Sequence, residues 1–100
     1  MNRVEKWFEM PLEVQMGNIG SEVNRAIRCR QNNEPEKAAR YCKKAIEFLE
    51  IIKKDPKNVH RQKEFDEAIL ELEDHFLGQN LFNTSDETIR RYYDAFLQRL

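Results

Sequence analysis

The residues of this chain that could do chemistry are few: His60, His75, Cys29, Cys42, and the carboxylates Glu71 and Asp74 beside His75. Glu71 and His75 stand one helical turn apart, a spacing that lets two side chains share a proton or a metal ion. A carboxylate-bridged metal site in a helical bundle needs Glu-x-x-His on two helices. Three residues before His75 is Leu72, and three before His60 is Lys57, so neither histidine fits. There is no Cys-x-x-Cys for zinc and no glycine-rich loop for phosphate. Cys42 has no histidine near it in sequence and reads as a core thiol, not a nucleophile. The Glu71–His75 pair reads as a surface hydrogen bond. The sequence therefore assigns no catalytic residue, no metal ligand set and no cofactor.

A second constellation is basic. Lys53, Lys54, Lys57, His60, Arg61 and Lys63 gather with Asp55 as the one acid among them. The helix that starts there ends in Glu71, Glu73 and Asp74, so its charges oppose the helix dipole at some tenths of a kcal/mol each. In an up-down bundle, Arg25, Arg28 and Arg30 would stand near that acidic end and neutralise it. The basic end is either a solvated face or a binding surface for RNA or an acidic partner. Strand-binding surfaces interleave aromatic residues for base stacking, and none lies between residues 53 and 63. The aromatic residues lie elsewhere. Trp7 and Phe8 near the N-terminus, and Tyr92, Tyr93, Phe96 and Leu97 near the C-terminus, read as core plus an interface with a partner or a second copy.

The elements that position these residues are helical. One hundred residues make one domain. With 40% apolar and 35% charged residues, and only three glycines and three prolines, the composition argues against disorder and against an all-β chain. A net charge of −1 leaves no whole-molecule attraction to nucleic acid. No apolar run approaches the ~20 residues of a membrane span, and Glu5 and Glu9 interrupt the N-terminus, which is not a secretory signal. Two cysteines make no disulfide framework and read as reduced thiols of a cytoplasmic protein.

Apolar spacing predicts helices at about 12–30, 35–54, 57–77 and 85–99, after an N-terminal arm over 1–11. Gly17 and Gly20 weaken the first helix, or permit a close approach by a neighbour. Pro35 and the Asp55-Pro56 pair suit helix starts. Gly78 is expected as a left-handed cap, Leu81 and Phe82 as residues tucked beneath the bundle end, and Thr84-x-x-Glu87 as a capping box. Ile89, Tyr92, Tyr93, Phe96, Leu97 and Leu100 are expected on the inner side of the last helix. Short connections favour antiparallel neighbours, so the expected fold is all-α, an up-down bundle of four main helices with a short N-terminal arm.

The segments NIGSEVNRAIRCR (18–30), AARYCKKAIEFLEIIKKDPKN (38–58) and DHFLGQNLFNTSDETIRRYYDAF (74–96) resemble a group of small prokaryotic all-helical proteins with no established activity. More distantly the chain is similar to HEPN bundles, which dimerise and work in toxin–antitoxin or RNA-cleaving systems. The nuclease members of that family carry Arg, then His after four to six residues. Here the positions that would hold Arg are Lys53, Lys54 and Asp55 before His60, and Ala68, Ile69 and Leu70 before His75. The resemblance therefore implies a fold and a location, not a nuclease. The function expected from the sequence is non-catalytic: a regulatory or adaptor protein that binds another protein, or itself, through a helical face. The alternative is RNA binding or processing through the basic end around residues 53–63.

Overall fold

The computed structural model describes residues 2–99, and each apolar stripe of the sequence lies on a helix in it. Among the described residues there are five α-helices: α1 (Arg3–Glu9), α2 (Leu12–Gln31), α3 (Pro35–Lys53), α4 (Gln62–Leu72) and α5 (Asp86–Leu97). A 3-10 turn (Pro56–Arg61) precedes α4, and a π-turn (Glu73–Leu77) follows it. No strand occurs among the described residues. Leu100 lies outside them.

The expected N-terminal arm is itself a helix. Asn2 caps α1 by accepting the Glu5 N–H at 2.9 Å, and Trp7 packs on Phe48 of α3 with ring centroids 4.6 Å apart. Burial of the indole ties these seven residues to the bundle.

Helix α2 is the centre of the molecule, packed on α3 along one side and α5 along the other, while α3 also packs on α4. Met16, Ile19, Val23 and Ile27 of α2 meet Cys42, Leu49 and Ile52 of α3, Phe65 and Leu72 of α4, and Ile89 of α5, all essentially buried. Each such large aliphatic or aromatic side chain contributes about 1.5–3 kcal/mol. Helix α2 runs unbroken through both glycines. A Cβ on Gly20 would sit 3.0 Å from Tyr93 Cβ, and one on Gly17 would sit 3.3 Å from Leu97 Cδ2. The glycines thus set how closely α5 approaches. The Cα radius of gyration is 13.2 Å, near the ~13 Å of a compact domain this long.

The expected helix over 57–77 is a composite of three helical types. Asp55 caps the 3-10 turn by accepting the Lys57 N–H at 3.2 Å, and Pro56 takes the first position as its fixed φ favours. At the other end, Arg30 donates to the His75 carbonyl at 2.7 Å, and the Cys42 thiol donates to that of Leu72 at 3.5 Å. Side chains that capture carbonyls in this way accompany a widened ladder.

Three expectations in the following loop are corrected. Gly78 is extended (φ −109°, ψ −149°), and the left-handed positions are Asn80 (φ 53°) and Asn83 (φ 52°). Asparagine tolerates this region because its short polar side chain bonds locally, as Asn80 does with both the N–H and the carbonyl of Thr84. Ser85, not Thr84, caps α5 by accepting the Thr88 N–H. Leu81 and Phe82 are not tucked under the bundle; they are 79% and 61% exposed.

Candidate functional site

The end of α2 meets the π-turn and the start of α5 in a three-residue polar joint. Arg30 reaches from the last turn of α2, where the helix dipole favours a cation. Its Nη2 donates to Asp86 Oδ1 at 2.6 Å, and Asp86 stands in the first turn of α5, where the dipole favours an anion. His75 lies between them, with Nε2 2.7 Å from Asp86 Oδ1 and 2.5 Å from Arg30 Nη2. Its Nδ1 is 3.4 Å from Asn80 Oδ1. Nε2 donates to Asp86 in the tautomer that carries its hydrogen there, and accepts from Arg30 in the tautomer whose Nδ1 donates to Asn80. Burial acts to raise the Asp86 carboxyl, but the His75 hydrogen bond and the Arg30 charge outweigh it and hold the group below its ordinary value. Arg30 also lies over the Phe76 ring, 4.6 Å from its centroid. The imidazole side chain is only 4% exposed, so it offers a substrate almost no surface. The arrangement fixes the π-turn against two helix ends.

That joint sets the loop beyond it. Asp74, on the π-turn, accepts the backbone N–H groups of Leu81 at 2.7 Å and Phe82 at 3.0 Å. The Asn80 N–H donates to the Asp74 carbonyl at 2.9 Å. The backbone is held, and the two large side chains point outward. Leu70 of α4 is 56% exposed beside them and, with Phe82, lines a depression of about 220 Å³. A second depression of the same volume runs between α4 and α5, over Ala68 and Tyr92. The backbones of α4 and α5 scarcely meet. The seam between them is bridged by side chains. Tyr92 O–H donates to Glu64 at 2.5 Å, Glu64 pairs with Arg61 at 3.1 Å, and Arg61 lies over the Phe96 ring. Burial, then the Glu64 carboxylate, push the Tyr92 hydroxyl up, so it stays a donor.

The basic residues named from the sequence fall into two groups. Lys53 pairs with Asp66 at 2.6 Å, Lys57 pairs with Asp55 and donates to the Phe8 carbonyl, and Arg61 is held by Glu64. Lys54, His60 and Lys63 are exposed and form no ion pair among the described residues. The aromatic candidates divide too. Trp7, Tyr93 and Phe96 are occupied by the core, Phe8 and Tyr92 are half-buried, and Leu97 is 48% exposed. Of the three arginines expected near the acidic end of the third helix, Arg30 alone reaches the π-turn, and its ion pair is with Asp86. Arg25 pairs with Glu22 on its own helix, and Arg28 is exposed.

His75 was expected in a surface pair with Glu71 and is instead buried against Arg30 and Asp86. The signal for this was present in the separate preferences of α2 for a terminal cation and of α5 for an initial anion. Sequence reasoning also missed Gln15 and Asn58, which are polar yet 0% and 1% exposed. Cys42 is inert. Burial, with Glu73 nearby, pushes its thiol up to about 12, far from the thiolate that chemistry requires. Both thiols are free. Among the described residues no three His, Cys, Asp or Glu side chains converge as a metal site, and no helix is long and apolar enough to cross a membrane. No protein-family model, no curated protein and no solved structure matches the chain.

Proposed function

We propose that this protein is a non-catalytic adaptor or regulatory module that binds another protein through the surface formed by α4, α5 and the loop before α5. The observation that carries the reading is the display of Leu81 and Phe82, 79% and 61% exposed on a loop whose backbone donates to Asp74. A pinned loop that exposes two large apolar side chains gains nothing from them within the chain. Clustered exposed apolar residues mark interaction surfaces, and a preset backbone lowers the ordering cost of association.

The proposal extends to architecture and setting. It takes the four longer helical elements in up-down order, a cytoplasmic location in keeping with two free thiols, and kinship with small prokaryotic helical proteins and HEPN-like bundles. A second copy of the chain is an acceptable partner. The test is capture of partners by the tagged protein from nuclease-treated lysate of its native cell, beside the double variant Leu81→Ser, Phe82→Ser. A protein retained by wild type at high salt and lost by the variant supports the reading. A partner held equally by both proteins would overturn it.

RNA binding is the second reading, favoured by the unpaired Lys54, His60 and Lys63. It predicts recovery of RNA that falls steeply with salt, and Lys54→Glu with Lys63→Glu would abolish it.

A further inference from the structure

Resting on that reading, we propose that the seam between α4 and α5 receives a lysine- or arginine-bearing amphipathic helix of the partner. Its apolar stripe lies on Leu70 and Phe82, and its cations lie on Glu67 and Glu71, on the side of that stripe toward α5. The two depressions adjoin, one between α4 and α5 and the other between α4 and the loop before α5, and share Glu67 and Glu71 in their linings. Together their walls hold three glutamates and no lysine or arginine. Glu64 is committed to Arg61 and Tyr92. Glu67 and Glu71 form no ion pair among the described residues.

These two carboxylates are four residues apart on α4, so they stand one turn apart, about 6 Å from each other, in a row between Leu70 and Tyr92. Cations at i and i+4 of an incoming helix have the same spacing. Glu71 is half-buried, and burial pushes its carboxyl up against the opposing effect of His75. A cation laid beside it restores what burial removes. The shape points to a helix. An extended segment that pairs through its backbone needs an open sheet edge, and no strand exists among the described residues. A seam between two helices whose backbones scarcely meet is instead the place where another helix packs, with apolar anchors every three or four residues.

The test uses three synthetic helical peptides that share one leucine stripe and carry lysine, glutamine or glutamate at the flanking positions. Binding to the full chain is read by fluorescence polarisation. The lysine peptide is expected to bind about ten-fold tighter than the glutamate peptide. Glu67→Lys with Glu71→Lys reverses that order. Glu36→Lys with Glu50→Lys, the same change of net charge on exposed positions of α3, leaves it intact. Phe82→Ser weakens all three peptides, and helical circular dichroism of each variant matches wild type.

Equal binding of the three peptides, still weakened by Phe82→Ser, would overturn the charge proposal and leave apolar docking standing. Reversal by the α3 variant as well would reduce the effect to net charge and overturn it too. If no peptide binds, the seam takes no amphipathic helix, and the capture experiment decides the wider reading independently.

Discussion

Two polar joints close the two ends of α2, and they are built differently. At the first end Gln15, Asp55 and Asn58 are 0%, 4% and 1% exposed. Gln15 donates to the Trp7 carbonyl at 2.8 Å and to Asp55 at 2.9 Å, and accepts from Asn58 at 3.0 Å. Asn58 also donates to the Ile52 carbonyl at 2.9 Å. Two amides and one lysine-paired carboxylate fasten α1, α2, α3 and the 3-10 turn together with these polar groups paired. At the second end Arg30, His75 and Asp86 do the fastening with ionisable groups, and the side chains of Arg30 and Asp86 are 35% and 26% exposed. The first joint seals. The second supports a loop that carries apolar residues outward. A buried network whose one carboxylate is bonded through both oxygens has one satisfied state, which suits a fixed core, whereas a joint of partly exposed charges tolerates an open neighbour.

The comparison is broken most directly at the sealed end. Asn58→Ala leaves the buried Gln15 amide oxygen without its donor and takes one of two donors from the Ile52 carbonyl, which keeps the Asp55 N–H, at a cost of about 3 kcal/mol. The midpoint of thermal unfolding is expected to fall by about 12–20 °C. Arg30→Met at the open end costs about 1–2 kcal/mol, less because water can replace part of the lost bonding at a group one-third exposed; urea unfolding reads the difference.

Acid sharpens the contrast. At Asp55 burial acts to raise the carboxyl, but hydrogen bonds from Lys57 and Gln15 outweigh it and hold the group low, as Asp86 is held low. A depressed carboxyl contributes stability that is present above about pH 4 and lost as pH falls through its native value. Asp55→Asn and Asp86→Asn are each expected to flatten the fall in stability below about pH 4. The larger change belongs at Asp55, the more deeply buried of the two. A stability-against-pH series on both variants checks this. The smallest effect belongs to Phe82→Ser, within about 0.5 kcal/mol of wild type, although it removes docking.

Much of the helical content was legible because apolar periodicity, Pro35, Asp55-Pro56 and the dipole-matched ends agree with one another. The close approach at Gly20 was legible as an alternative to weakness. The π-turn was not, because the Arg30 and Cys42 contacts that accompany it join residues far apart in sequence. The outward turn of Leu81 and Phe82 was not legible either. Apolar residues in a loop read as buried until it is known that Asp74 takes their N–H groups and fixes their direction. Gln15 and Asn58 look like surface residues on any hydropathy scale, and only their mutual bonding makes burial affordable. The candidate surface was thus hidden by side-chain-to-backbone contacts, which leave no period in the sequence.

The loop before α5 is held by Asp74 in one conformation that displays Leu81 and Phe82. Amide hydrogen exchange at those two residues, in wild type and in Asp74→Ala, tests it most directly. Hydrogen bonds to a carboxylate worth about 1.5–3 kcal/mol slow exchange by about 10–100-fold. That degree of protection is expected for both N–H groups in wild type and is lost in the variant, with the amides of α2 and α3 unchanged. Free exchange at Leu81 and Phe82 in the wild-type protein would contradict it.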